Sequence, residues 1–198
     1  MISVLNYGMG NIGSIQNMLK KIGVDYQLIE RPEELDPRNS IILPGVGAFD
    51  NAMRRLNELG FSTHLQELGA EGTPLLGICL GMQLLGNASE EGILDGLKLI
   101  PGKSRKFELK SPFKVPHMGW NKVSNSASGL FQKLGESRFY FVHSYHFEPE
   151  KKDYILGETN HGIKFVSSIK RGNIYGTQFH PEKSHKYGMQ LLRNFCAI

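Results

Sequence analysis

Through its first half the chain alternates short apolar runs with helical repeats, and that alternation constrains the fold most. Ile2 to Leu5 reads as a buried strand, closed by the glycine-rich turn Asn6 to Asn11. Ile15, Met18, Leu19 and Ile22 then recur at i, i+3, i+4 and i+7, with Gly23 where a helix-ending glycine belongs. Asp25 to Ile29 and Ile41 to Leu43 read as the second and third strands, the latter stopped by Pro44 and Gly45. Met53, Leu56 and Leu59 mark one helix face, and Phe61, Leu65 and Leu68 another. A fourth strand, Leu75 to Ile78, passes at once into a helical run, Leu80 to Leu85. Strands separated by helices pair in parallel through crossovers, so the expectation is an α/β fold with helices flanking a mainly parallel central sheet.

The second half changes character. Residues 92–125 are dense in Gly, Pro and Lys and show no long helix. Arg138 to His143, Tyr154 to Glu158, Ile163 to Lys170 and Ile174 to Phe179 read as strands, the last two joined by a hairpin turn at Arg171-Gly172-Asn173. These add antiparallel pairing to the parallel half. Met189, Leu192, Phe195 and Cys196 give a closing amphipathic helix. No repeat or linker divides the 198 residues, and a typical domain has about 150. One domain over residues 1–198 is expected.

Composition removes several classes of function. The longest apolar-looking stretch, Leu75 to Gly86, is far short of the ~20 residues that cross a bilayer. The start, MISVLNYGMG, has neither the basic nor the apolar region of a signal peptide. The two cysteines, Cys79 and Cys196, lack Cys-x-x-Cys spacing, which fits a reducing compartment, the cytoplasm, and argues against a disulfide framework or a zinc site. The formal net charge is +4, yet seven basic residues and only Glu108 as an acid lie between Lys98 and Lys122. Phe107, Phe113 and Trp120 accompany that charge without forming a nucleic-acid motif. Solvated loops and hairpins are the better reading of the segment, ahead of a face for an anionic substrate or protein partner, and neither nucleic acid nor membrane is an expected partner.

Gly77-Ile78-Cys79-Leu80-Gly81 is the sharpest local feature. A strand that becomes a helix within a residue or two strains the corner residue, and glycines two positions to either side allow the close approach this needs. The G-x-S-x-G elbow of hydrolases lifts its nucleophile clear of the sheet in this way. With cysteine in the corner, a helix N-terminus pointing at the sulfur would favour thiolate over thiol. The pentapeptide suits a buried structural cysteine equally well, and alone it does not choose.

A thiolate nucleophile needs a base. In His180-Pro181-Glu182, Pro181 forces His180 into an extended conformation, and in an extended segment residues i and i+2 face the same side. Glu182 can then bond one imidazole nitrogen and leave the other for sulfur, the part played by the third member of a triad. Alone, His-Pro-Glu reads as a surface turn; with Cys79 in the same α/β chain, a cysteine-based triad is the better reading. The Leu80 N–H, directly after the cysteine, is one candidate oxyanion donor. Pro44-Gly45-Val46-Gly47, at the end of another parallel strand, can supply a second from Val46, since open α/β sheets place ligands at strand C-termini. That loop lacks the residues of a phosphate-binding P-loop.

GICLGMQL (Gly77 to Leu84) with GTQFHPEKS (Gly176 to Ser184) resembles the class I glutamine amidotransferases. NYGMGNIGSI, PGVGAFDNAM, VPHMGWN and YFVHSYHF are similar to one branch of them, the glutaminases of imidazole glycerol phosphate synthase in histidine biosynthesis. The resemblance runs over essentially the whole chain. It implies Cys79 as nucleophile, His180 as general base and acid, and Glu182 as orienting carboxylate. It also implies that Gly45, Gly47 and Gln83, with the backbone around His143, Ser144 and Tyr145, bind glutamine. No cofactor or metal is implied: His143 and His146 have no carboxylate at metal-site spacing and read as strand-end histidines.

The resemblance further implies a heterodimeric partner, a (βα)₈-barrel cyclase that receives ammonia through a dry channel. Asn11, Trp120, Tyr140 and Lys183 are its candidate contacts. Because Lys183 follows Glu182, docking can adjust the triad, and weak activity alone with strong activation by the ligand-loaded cyclase is expected. Trp120 also suits ordinary core packing. A glutaminase serving another synthase, a γ-glutamyl hydrolase and a subunit that keeps the shape without the activity are the competing readings.

Overall fold

The computed structural model of the chain describes residues 1–126 and 129–198. Its first half follows the alternation: β1 (Ile2–Leu5), α1 (Ile12–Ile22), β2 (Tyr26–Ile29), β3 (Ser40–Leu43), α2 (Phe49–Glu58), α3 (Phe61–Glu71), β4 (Leu75–Ile78) and α4 (Leu80–Leu84). Then come β5 (Ala88–Ser89), β6 (Gly102–Lys106), β7 (His117–Asn125), β8 (Ser137–His143), β9 (Tyr145–Pro149), β10 (Ile155–His161), β11 (Ile163–Arg171), β12 (Ile174–Thr177) and α5 (His185–Cys196). Gly23 ends α1 with φ +73, as a left-handed C-cap requires.

The main sheet runs β2-β1-β3-β4-β12-β11-β10-β7-β8. Its first five strands pair in parallel and its remaining pairs are antiparallel. β9 leaves that path by pairing with β11, and it carries β6, which pairs with β5. The β11–β12 hairpin closes with Arg171 opposite Ile174, so the turn itself is Gly172-Asn173.

Period-two alternation splits the core between two faces. Leu5, Ile41, Leu43 and Leu75 join one buried cluster with α2, α3 and α4. Ile2, Val4, Ile42, Leu76 and Ile78 join the other with α1 and α5. In the second cluster the fully buried Phe179 stacks on Phe139 at 4.0 Å between centroids and lies 5.6 Å from Phe141. Such aromatic pairs add ~1 kcal/mol beyond area burial, and here they anchor the residue that leads into His180.

Residues 92–125, for which the sequence reading assigns no individual strand, contain β6 and all of β7. In β7 the inward positions are His117, Gly119, Asn121 and Val123, while Met118 and Trp120 point outward and are exposed. The usual apolar-in pattern is inverted, which hides the strand from a search for alternating hydrophobics. β5 and β9 also lie outside the sequence reading.

Candidate active site

Cys79 stands between β4 and α4 with φ 55 and ψ −110, a backbone conformation that non-glycine residues rarely occupy. Its N–H donates to the Thr177 carbonyl at 2.7 Å, which ties the corner to β12. The glycines on either side are there for contact. A Cβ on Gly77 would come 2.5 Å from the Gly81 carbonyl oxygen, and one on Gly81 would run into the Leu43 carbonyl. The helix therefore starts against the ends of β3 and β4, and the strained corner is held from both sides.

His180 arrives by a different route. It is extended, as expected before proline, with φ −99 and ψ 96, but Pro181–Lys183 then form a 3₁₀ turn. That turn brings the Glu182 carboxylate back onto its own histidine, with Nδ1 and Oε1 2.7 Å apart. The His180 N–H donates to the Tyr140 carbonyl at 2.9 Å. The Ser184 hydroxyl donates to the His180 carbonyl at 2.6 Å and accepts the Tyr140 N–H at 3.0 Å. Ser184 thus fixes the imidazole's backbone, a part that its sequence context does not reveal.

Both side chains of the His180–Glu182 pair are out of water. Burial opposes charge on the imidazole, but the Cys79 sulfur and the Glu182 carboxylate outweigh it and push the His180 pKa up to about 10. Nε2 makes no hydrogen bond among the described residues. Catalytic contacts in unliganded sites are often long and tighten on binding. An imidazolium beside sulfur is the protonation state from which a thiolate can attack.

Cys79 and His180 open into one cleft of about 290 Å³. Val46, Gly47, Leu80, Gln83, His143, Ser144, Tyr145 and Lys183 share its wall. As the first residue of α4, Leu80 has an N–H with no acceptor inside the helix. Val46 is 39% exposed beside it. Gly45 sits behind the wall rather than in it: a Cβ there would lie 2.6 Å from the Gly81 nitrogen. Gln83, 4% exposed, donates from Nε2 to the Tyr145 carbonyl at 3.2 Å and to Gln178 Oε1 at 3.1 Å. Gln178 Nε2 in turn lies 3.9 Å from the Cys79 sulfur.

Glu91 also lines the cleft and was missed in the sequence. One of its oxygens accepts the Phe49 N–H at 2.9 Å, so it caps α2 across 42 residues. An isolated Glu-Glu pair before a glycine carries no sign of that role.

The four candidate contacts divide. Trp120 and Tyr140 are register partners in β7 and β8 with rings 6.4 Å apart, and Lys183 Nζ lies 5.9 Å above the Tyr140 ring. Trp120 is 40% exposed and stacks on His185 at 5.5 Å, so it is a surface residue rather than a core one. Asn11 is half-buried at the start of α1, at the same C-terminal edge of the parallel strands as Cys79. His143 and His146 pack on Phe107 and Phe165. Among the described residues no three His, Cys, Asp or Glu side chains converge as metal ligands, and no helix is long and apolar enough to cross a membrane.

Residues 3–198 match the family described as Glutamine amidotransferase class-I. The chain is 52% identical over 198 residues to "Imidazole glycerol phosphate synthase subunit HisH 2" of Methanococcus maripaludis, with 98% of each chain covered. It is 46% identical over 204 aligned positions to "Imidazole glycerol phosphate synthase subunit HisH" of Bdellovibrio bacteriovorus, with both chains covered in full. A solved glutamine amidotransferase superposes with a TM-score of 0.78 at 18% identity, covering 99% of this chain and 97% of that one. That last likeness concerns the fold alone.

Proposed function

The chain belongs to the class-I glutamine amidotransferase family, and on that premise we propose that it hydrolyses glutamine to glutamate and ammonia as the glutaminase subunit of an imidazole glycerol phosphate synthase in histidine biosynthesis. Residues 1–198 are read as one amidotransferase domain. The Cys79 thiolate attacks the side-chain carbonyl of glutamine, and the oxyanion rests on the N–H groups of Leu80 and Val46. His180 gives its proton to the departing nitrogen, the C–N bond breaks and ammonia leaves a γ-glutamyl thioester. Water, with its proton taken by His180, then attacks the thioester, sulfur leaves and glutamate is released. Glu182 keeps the imidazole oriented and stabilises its cation throughout. Gln83 and the backbone at His143, Ser144 and Tyr145 hold the amino-acid end.

One observation carries this reading: the strained Cys79 and a His180 with raised proton affinity open into a single cleft. Cofactors have no part in it. Ammonia set free in water becomes mostly ammonium and loses its nucleophilicity, so the product must pass through a dry path to a bound acceptor. The partner in this reading is a (βα)₈-barrel cyclase that makes imidazole glycerol phosphate and aminoimidazole carboxamide ribotide. Trp120, Tyr140 and Lys183 offer it a cluster beside the triad, with Asn11 on the same edge. The supporting experiment is glutamate production by the chain alone, with the cyclase, and with the cyclase and its ligand. Weak turnover alone and strong turnover with the loaded cyclase are expected. High turnover that ignores the partner would favour a free-standing γ-glutamyl hydrolase.

A further inference from the structure

A chain of hydrogen bonds runs from half-buried Asn121 in β7 through buried His117 and His143 to the cleft, and every link has one donor and one acceptor. Asn121 Nδ2 donates to His117 Nε2 at 3.2 Å. His117 therefore carries its proton on Nδ1, which lies 3.0 Å from His143 Nε2 and donates to it. His143 then carries its own proton on Nδ1 and donates to the Tyr145 carbonyl at 2.7 Å. The same carbonyl accepts from Gln83 Nε2, whose other hydrogen goes to Gln178 Oε1. With both amide hydrogens of Gln83 committed, the amide atom left for the cleft is its oxygen, an acceptor suited to the α-ammonium of an amino acid.

His117 forbids the alternative. Were the His143 proton to move to Nε2, it would meet the His117 N–H, and the bare Nδ1 would face the Tyr145 oxygen. We propose that His117, which is not part of the cleft wall, is a positioning residue of the glutamine site: through His143 it fixes the Tyr145 carbonyl and hence the Gln83 amide. This rests on the glutaminase reading above. Burial keeps both rings neutral, pushing His117 down to about 4, with His161 adding to it, and His143 down to about 3. His117 is stacked on His161 at 4.1 Å and packs on Phe141 at 4.7 Å, so its ring has a packing role that must be separated from its nitrogens.

Two substitutions in the full chain make the separation. His117→Phe keeps an aromatic ring and removes both nitrogens; His117→Asn returns an amide N–H near the place of Nδ1. Each is alkylated at Cys79 with a chloroketone analogue of glutamine and, separately, with iodoacetamide, which has no amino-acid end. The half-saturating concentration of the analogue rises about tenfold in His117→Phe and returns to within about threefold in His117→Asn, the worth of one hydrogen bond to a buried group. Iodoacetamide rates stay within about twofold in all three. The proposal is overturned if His117→Phe matches the parent, or if His117→Asn is as impaired as His117→Phe, which would assign the effect to packing. Nitrogen-detected imidazole spectra of the parent chain test it without substitution: protons on Nδ1 of both rings are expected, and Nε2 protons would refute it. If the parent's Cys79 takes iodoacetamide but never the glutamine analogue, the glutaminase reading fails first and the positioning role with it.

Discussion

Cys79 holds a conformation that its own side chain disfavours, and the rest of the molecule enforces it. Positions of this kind cost about 1–3 kcal/mol, because Cβ crowds the backbone when φ is positive. Glycine has no such penalty, so the ordinary ranking of small residues inverts here. Cys79→Gly is expected to unfold at higher denaturant than Cys79→Ala, by about 1 kcal/mol, although glycine usually loses to alanine in ordered backbone. Equilibrium unfolding of the two variants checks it, and equal midpoints would mean that the corner stores no strain. Both variants lose the sulfur. The fold thus tolerates a local cost at the residue that the proposed chemistry needs standing clear of the sheet.

At the scale of elements, the β7–β8 hairpin carries neutral histidines where a solvated strand would carry charged ones. Its His117 and His143, with His146 in β9, all have proton affinities lowered by burial as the first cause. Their folded values lie below the free value, so between about 6.5 and about 4 the unfolded chain binds more protons than the folded one. The contribution of these three histidines to stability is therefore complete above about pH 6.5 and falls as the solution is acidified through that range. His117→Phe removes one such site, and the proton uptake on unfolding near pH 5 should drop by about one. The slope of the denaturant midpoint against pH measures it; an unchanged slope would mean that His117 is charged in the folded chain. The parallel half of the fold was legible because Ile41 to Leu43 and Leu75 to Ile78 are unbroken apolar runs between helical repeats. β7 was not, since it turns His117 and Asn121 inward and Met118 and Trp120 outward. The site divides in the same way. Cys79 and His180-Pro181-Glu182 carry their own local geometry in the sequence, whereas Glu91, Ser184 and Gln178 acquire their parts only when distant segments meet.

For the molecule as a whole, one edge gathers the chemistry. The parallel strands β1, β3 and β4 end there, and the cleft, Lys183, Tyr140 and Trp120 lie along it. Trp120 is exposed on a strand whose other face is buried, and a large aromatic on such a rim is of the type that dominates binding energy when a partner covers it. If the proposed cyclase is the partner, Trp120→Ala should weaken assembly with it about 10- to 100-fold, the effect of losing ~1.4–2.7 kcal/mol. Titrating the two chains reads this directly, and an unaltered affinity would move the interface elsewhere. The account as a whole stands on sulfur chemistry at one position. Acid-quenching the chain during turnover with glutamine and the loaded cyclase, then mapping the modified peptide by mass, tests it most directly. The result expected is a γ-glutamyl adduct on Cys79, absent in Cys79→Ser together with glutamate release. Glutamate formed by Cys79→Ser at the parent's rate, or an adduct on any other residue, would contradict it.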